Sequence, residues 1–515
     1  MATCIVVSEL NFLIQDGVLT REFRWLADRV GHGKTTSEIS VIFATQLGTD
    51  EFNMIQHVMT REGFLFVSGI MDLGFPISNI NILPTYAVYI HLKTNYYNEV
   101  YFFGTVSLGF YSTIAKRQGH ALRESLLIAV IANPTRFAMH VSSIWVNHPR
   151  ILELDYMEEK TITYADDVWF MYDDSFQWIS QRGWISKREQ FNIQRIIDCP
   201  PLVTVCITHF NRSLLLQQSI SSIMDQTYDK IEVIIVDDGS TDESVRDDLR
   251  RIESLNYRFP LKVIRRANGY LGAARNTGVE HASGKYIAFI DDDDVAKPNM
   301  IEILLKSAEN MGSDIITSFM DKFEGDSFPD EGTHFLFRWV FLGGCVGTGL
   351  FYNSFGGANA LIRLDTLKKL HGFTEDVGVG HEDWELYARA TLQGHRVDVC
   401  PEATYWYRAS QESMSGMTNM YKNYERSMRP YLASVPSDIQ PLIELTFGIY
   451  WKSENLNHII NQLVGQLQEK NQLLGQFQEM GQRLAQQIGN MSSHIDHLKA
   501  ERDQLIDQIK VLENR

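Results

Sequence analysis

No stretch of the chain reaches the roughly 18 apolar residues that a membrane-spanning helix needs. The longest local runs, Leu126 to Ala132 and Val233 to Val236, have the length of strands. The opening residues, Met1-Ala2-Thr3-Cys4-Ile5-Val6-Val7-Ser8-Glu9, have no basic segment leading into an apolar one, so no secretory leader is expected. Cysteine is scarce. Cys4, Cys199, Cys206, Cys345 and Cys400 are five, an odd number, widely scattered and without CxxC spacing. That argues against a disulfide framework or a zinc site and fits a reducing cytosol. Positive charge is in deficit, with 47 Lys and Arg against 64 Asp and Glu and a net charge of −17. Broad binding to a nucleic-acid backbone is thereby excluded, and only local basic sites remain. Glycine and proline are not enriched, which excludes fibrous and wholly disordered chains. What is present is ample apolar material, 44% of 515 residues, enough for two or three domains. Any membrane association would be peripheral, and the expected location is cytoplasmic, at the inner face of the membrane.

Three regions follow. Residues 1–198 alternate short apolar runs with amphipathic stretches. Ile5 to Val7, Ile39 to Ala44, Phe64 to Ser68, Val88 to His91, Glu99 to Phe103 and Leu126 to Ala132 read as strands. Arg21 to Val30 and Tyr111 to Gln118 read as helices, and the alternation predicts a parallel α/β sheet of Rossmann-like type. Asp198-Cys199-Pro200-Pro201 breaks the pattern, because paired prolines continue neither a helix nor a central strand. Residues 199–435 begin a second strand–helix series. From 436 the chain reads as helical, with a coiled coil from about 452. Leu456, Ile460, Leu463, Leu467, Leu474, Phe477, Leu484, Ile488, Met491, Ile495, Leu498, Leu505, Ile509 and Leu512 recur in steps of four and three, interrupted only at Lys470, Gly481 and Arg502. A single helix cannot bury such a stripe, so a homo-oligomer through this segment is expected.

The specific chemistry lies in the second region. Asp237-Asp238-Gly239-Ser240-Thr241-Asp242 follows a strand, where ligands of open α/β sheets bind. A carboxylate there accepts hydrogen bonds from a base or a ribose, though alone the segment would equally be a capping turn. Asp291-Asp292-Asp293-Asp294 follows another strand, and four adjacent carboxylates repel one another strongly in a partly dry site. Mg²⁺ or Mn²⁺ would relieve that cost and bridge a diphosphate. Asn268 to Gly278 is glycine- and alanine-rich and carries Arg275, able to meet a phosphate or lock an acidic loop. Glu382-Asp383-Trp384 opens an apolar helix and offers a general base.

In order along the chain, Leu202 to about Arg408 resembles the GT-A nucleotide-sugar glycosyltransferases of glycosyltransferase family 2. The carrying pieces are Val205 to Arg212, Asp225-Gln226-Thr227-Tyr228, the Asp237 loop, Ala274 to Gly278, Phe289 to Pro298, Gly356 to Asn359 and Glu382-Asp383-Trp384. The resemblance implies that Thr208 and Asp238 meet base and ribose with Asp237 beside them, and that Asn211 and Arg275 belong to the nucleotide-sugar site. It implies that Asp291 and Asp293 end the DxD motif, that Asp293 is the direct metal ligand, and that Asp292 reaches the ribose. Asp383 would be the base and Glu382 its acceptor-side neighbour. Asp292 departs from the family, which usually has a non-acidic residue inside the tetrad. The implied activity is inverting, Mn²⁺- or Mg²⁺-dependent transfer from a nucleotide-sugar donor, UDP-sugar favoured, to a glycan or lipid-linked acceptor, in bacterial surface polysaccharide synthesis and beside membrane-bound glycan assembly machinery. The alternative is a non-catalytic scaffold built on a retired transferase fold.

The first region more faintly resembles the N-terminal half of a family 4 GT-B glycosyltransferase, through Gly104 to Gly119, Asn133-Pro134-Thr135, Tyr156-Met157-Glu158 and Ala165-Asp166. A domain that binds acceptor or packs on its neighbour, without transfer activity of its own, is expected. Gly31-His32-Gly33-Lys34-Thr35-Thr36 is not a phosphate loop, because the position five before Gly33 is Asp28 and not glycine.

Overall fold

In the first region all but one of the apolar runs become strands, the central ones buried on both faces. The strands are β1 (Thr3–Val7), β2 (Ile39–Phe43), β3 (Leu65–Val67), β4 (Glu99–Gly104), β5 (Leu126–Ile131) and β6 (Asp167–Phe170). The computed structural model describes residues 2–31, 36–44, 48–68, 70–188, 200–330, 332–409 and 418–513. All six strands run parallel in the order β3-β2-β1-β4-β5-β6, so the chain order reverses between β1 and β4. That is the Rossmann arrangement expected from the alternation of runs. Residues 32–35, which hold most of the rejected phosphate-loop stretch, and Cys199 lie outside the described residues.

One expected strand is corrected. Val88 to His91 falls inside a helix, Leu83–Thr94. Thr85, Tyr86, Ala87, Val88, Tyr89 and Leu92 are all buried, so the helix is enclosed nearly all round and shows no one-sided apolar periodicity. Tyr86 packs edge-on against Phe319, and its hydroxyl accepts a hydrogen bond from Arg338 (2.8 Å), both residues of the second region.

The second sheet has nine strands: β7 (Val203–His209), β8 (Ile231–Asp237), β9 (Leu261–Arg265), β10 (Tyr286–Asp291), β11 (Val295–Ala296), β12 (Ile315–Phe323), β13 (Phe337–Trp339), β14 (Leu361–Arg363) and β15 (Val397–Arg408). Their order is β9-β8-β7-β10-β14-β12-β15-β11, with β13 paired to β12. The first four strands are parallel, and antiparallel pairing begins where β14 meets β10. The first half is thus a parallel α/β sheet, and the second half is mixed.

Both sheets belong to one compact unit, residues 1–440. Phe110, Tyr111 and Met157 of the first region share a hydrophobic cluster with Phe319, Phe341 and Tyr405 of the second. Polar contacts cross the same face. Tyr111 Oη donates to the carbonyl of Phe341 (2.7 Å), and Gln118 Nε2 to that of Val399 (2.7 Å). The four described cysteines are free and buried. The second unit, from Pro441, is one helix that begins at Gln440 and runs to Glu513, four residues inside the helical region read from 436. Among the described residues no helix is long and apolar enough to cross a membrane.

Candidate active site

Strand register assembles the site. Thr208, near the end of central strand β7, is paired with Val236 of β8 on one side and Asp291 of β10 on the other. The Asp237 loop and the acidic tetrad therefore emerge side by side from adjacent parallel strands. Thr208 Oγ1 donates to Asp291 Oδ1 (3.3 Å).

Asp237 and Asp238 take different tasks. Asp237 Oδ1 accepts the Ser240 N–H (3.0 Å) and closes its own turn. Gly239 sits at φ +77°, where an added Cβ would stand 2.7 Å from the Asn268 backbone nitrogen, so the turn requires glycine. Asp238 accepts the Gly269 N–H (3.0 Å) and lies 3.4 Å from Arg266 Nε. Burial nonetheless holds its carboxyl above the ordinary range, outweighing those favourable contacts. Asn211, at φ +57°, clasps the loop from the other side: its Oδ1 accepts the Thr241 N–H (2.9 Å) and its Nδ2 donates to Thr241 Oγ1 (3.1 Å).

The tetrad divides by orientation. Asp292 is wholly buried, with Oδ2 2.7 Å from His209 Nδ1 and Oδ1 2.6 Å from Arg212 Nη2. Its carboxylate is held between these two side chains and supports the loop that follows β7. Asp294 is also buried, held by Asn359 Nδ2 (2.6 Å) and the Arg408 N–H (3.1 Å). Asp291 and Asp293 keep partly open faces. Asp293 meets Arg212 Nη1 (2.5 Å), yet burial and the neighbouring Asp292 and Asp291 push its pKa up to about 6.

Arg275, fully buried on the helix Tyr270–His281, joins the two acidic groups. Nη1 donates to Glu382 Oε1 (2.5 Å) and Nη2 to Asp291 Oδ1 (2.9 Å). Burial favours its neutral form, but Asp291, Glu382 and Asp383 more than offset this and hold it above the usual arginine value. Glu382 and Asp383 begin the helix Glu382–Leu392. Asp383 Oδ1 accepts its own neighbour's N–H at Trp384 (2.7 Å), and burial plus the Glu382 charge push its pKa up to about 7. Tyr387 Oη, one turn on, donates to the Gly357 carbonyl (3.0 Å) and ties this helix to the Gly356–Asn359 segment.

The structure thus brings Thr208, Asp291, Arg275 and Glu382 into one hydrogen-bonded chain, with Asp293 and Asp383 flanking it. His209, Arg212, Arg266 and Asn359 are participants to which the sequence assigned no role. Arg266 was the most hidden, although a basic pair, Arg265-Arg266, at the end of β9 opposite an acidic loop was a readable signal. Among the described residues no group of three or more His, Cys, Asp or Glu could hold a metal ion on its own. Asp291 and Asp293 offer hard carboxylate oxygens, each paired with one arginine, Arg275 and Arg212, and each partly exposed. That set fits Mg²⁺ or Mn²⁺, which characteristically takes one or two protein carboxylates and completes its shell with substrate phosphate and water.

Comparison with known proteins agrees with this geometry. Residues 204–368 match the model of Glycosyl transferase family 2. The uncharacterized glycosyltransferase EpsJ of Bacillus subtilis is 36% identical over 118 residues, 22% of this chain and 33% of that protein. An uncharacterized glycosyltransferase of Haemophilus influenzae is 26% identical over 282 residues, 52% of this chain and 85% of that protein. Among solved structures, S. aureus TarS 1–349 in complex with UDP-GlcNAc aligns at 19% identity with a TM-score of 0.39, over 49% of this chain and 73% of that one. The chain spans about a third of the length of the first curated relatives it matches. The family model begins at residue 204 and has no counterpart for the family 4 resemblance of the first region. The match to the family model places a glycosyl transferase family 2 domain at residues 204–368, the span that holds the Asp237 loop and the acidic tetrad.

Proposed function

We propose that the chain is an inverting nucleotide-sugar glycosyltransferase that moves a sugar from a nucleoside-diphosphate donor, a UDP-sugar in preference, to a hydroxyl of a glycan or lipid-linked acceptor. The observation that carries this reading is the buried Arg275 fork. It holds Asp291 on the donor side and Glu382 on the helix that presents Asp383, so donor carboxylates and candidate base share one fixed frame.

In this reading Thr208 and Asp238 hold base and ribose, with the Asp237 turn and Asn211 shaping the loop. Arg266, whose Nε lies 3.4 Å from Asp238 Oδ1, adds positive charge beside that carboxylate. Asp293 and Asp291 would hold Mn²⁺ or Mg²⁺, which when bound supplies positive charge to the diphosphate. Asp383 accepts the proton of the acceptor hydroxyl as its oxygen bonds to the anomeric carbon. The bond from that carbon to the diphosphate oxygen breaks, and the nucleoside diphosphate leaves. One displacement from the opposite face inverts the anomeric configuration. A carboxylate with a pKa of about 7 is well matched to this work near neutral pH.

The larger assignments rest on the sequence reading: synthesis of a bacterial surface polysaccharide, a cytoplasmic location at the inner membrane face beside glycan assembly machinery, and homo-oligomerisation through the C-terminal helix. The deciding experiment incubates the full chain with a panel of nucleotide sugars, with Mn²⁺, with Mg²⁺ and with excess chelator. Release of nucleoside diphosphate from one donor, lost in chelator and in Asp293→Ala, is expected. Absence of turnover with every donor would favour the scaffold, and full turnover in chelator would remove the metal.

A further inference from the structure

We infer that the first sheet carries a second ligand site, separate from the acidic tetrad, that holds an uncharged stretch of the acceptor glycan. The inference rests on the glycosyltransferase reading for the identity of the ligand, but on its own geometry for the site. A cavity of about 440 Å³ opens at the carboxyl ends of β1, β2 and β4. Ser8 and Glu9 follow β1, Phe43 and Ala44 end β2, and Thr105 follows β4. The cavity therefore lies at the reversal point of the strand order, where a doubly wound sheet opens a crevice for a ligand.

The chemistry of the walls selects against a nucleotide. A diphosphate at this point of such a sheet needs a glycine-rich turn and the N–H groups of the following helix. Here β1 runs through Ser8-Glu9 directly into a short helix, Leu10–Leu13, with no glycine. A carboxylate occupies the place of the phosphate cradle, fixed by the Thr105 hydroxyl, which donates to Glu9 Oε1 (2.8 Å). A second carboxylate, Glu51, lines the same cavity. An anion would be repelled there.

A neutral polyol fits. Sugar hydroxyls both donate and accept, so they satisfy Glu9 and Glu51 as acceptors and Asn81 and Arg150 as donors at once. Phe43, Leu154 and Met157 supply an apolar wall for the C–H face of a sugar ring.

The helix Pro149–Tyr164 explains why that sugar would belong to the acceptor. Arg150, Leu154 and Met157 line the cavity. Between them, Glu153 Oε1 accepts from Tyr352 Oη (2.6 Å), and Leu152 abuts Gly347, where an added Cβ would stand 3.4 Å from Leu152 Cδ1. Both partners lie in the 343–359 segment, whose end, Asn359, holds Asp294 of the tetrad. One helix therefore touches both the cavity and the segment that leads to the active site.

The test is retention of the full-length protein on a printed glycan array, without donor or metal. Retention on neutral oligosaccharides is expected, and it should persist in Asp238→Asn, which alters the donor site. It should fall at least tenfold in Glu9→Gln with Arg150→Ala, both exposed positions, and equally in Leu10→Trp, which fills the mouth of the cavity, with thermal unfolding used to check each fold. Retention of no glycan would overturn the site, as would retention that both cavity variants leave unchanged. Because the array reads binding and not transfer, a protein that turns over donor yet retains no glycan would lose this site and keep the transferase reading.

Discussion

Nδ1 of His209 lies 2.7 Å from Oδ2 of Asp292, and neither side chain has any exposed surface. Arg212 closes on the other carboxylate oxygen at 2.6 Å and reaches Asp293 with its second amino group at 2.5 Å. The extra acid inside the tetrad is thus matched by two cationic or polar partners at the end of β7. Removing one partner of a buried pair leaves the other desolvated and alone, at a cost of about 3–5 kcal/mol. His209→Ala and Asp292→Ala are each expected to lower the stability of residues 1–440 by that order in chemical denaturation. The double variant should cost less than the sum. Additive losses would show that the two side chains are not energetically coupled.

Asp293 gives a prediction with a definite sign. Its pKa is raised to about 6, so between its unfolded value near 3.9 and 6 the folded state binds a proton that the unfolded chain lacks. Its contribution is therefore present at low pH and lost as pH rises through 6, the reverse of a salt-bridged carboxylate. Asp293→Asn removes the charge while keeping the shape. It is expected to raise the melting temperature above the parent at pH 8 without divalent cation, and to leave it nearly unchanged at pH 5. A variant less stable than the parent at pH 8 would mean that the Arg212 contact outweighs burial and repulsion.

The pH dependence of turnover isolates Asp383. With its pKa pushed up to about 7, the base is protonated in acid, so kcat should rise with pH and level off above about 7. Asp383→Asn is expected to lose roughly 10²–10⁴-fold in kcat with little change in donor affinity, and to lose the acid limb. A variant with normal kcat and weakened donor binding would move Asp383 from chemistry to recognition.

Much of this site was legible because strand ends and acidic runs are local features. Asp238, Asp291, Asp293 and Asp383 each announce themselves within four or five residues of sequence. Their partners do not. Arg212 meets Asp293 across 81 residues and Asn359 meets Asp294 across 65, and no local pattern encodes such pairings. The same limit governs the fold. Strands β1, β2, β4 and β5 are buried on both faces and read as continuous apolar runs. The helix Leu83–Thr94 is enclosed as well and therefore imitates a strand at Val88 to His91. Burial on all sides erases the period that distinguishes the two.

Arg275→Lys tests whether the frame needs a fork or only a charge. The guanidinium spans Glu382 Oε1 and Asp291 Oδ1 with separate amino groups at 2.5 and 2.9 Å. A lysine ammonium is a single point on a flexible stem and cannot hold both in fixed geometry. The variant should remain folded, because the buried acids keep a counter-charge, yet lose at least a hundredfold in kcat/KM. Near-normal activity would reduce Arg275 to charge neutralisation.

The C-terminal helix carries the last prediction. Beginning at Gln440, it extends the heptad seam toward its N-terminus, for Leu442, Ile449, Leu456 and Leu463 lie seven residues apart, and Phe477, Leu484, Met491, Leu498 and Leu505 continue the same position after Lys470. Those apolar side chains are half or more exposed in the single chain, Leu442 57%, Ile449 61% and Met491 65%. Seventy-four residues at 1.5 Å each give a helix of about 110 Å. Nothing within one straight helix covers such a stripe, and packing against the same stripe of another copy does, by seating each seam residue among four of the partner. Full-length protein is therefore expected to be oligomeric in light scattering, and a chain ending at Gln440 to be a monomer that still turns over donor. Lys470 interrupts the leucine-rich position, so Lys470→Leu should raise the melting temperature of the helical segment, while Leu484→Lys beside Gly481 should lower it and weaken the assembly. The same subunit number for full-length and truncated protein would remove the helix as the assembly element and assign its apolar stripe to another partner.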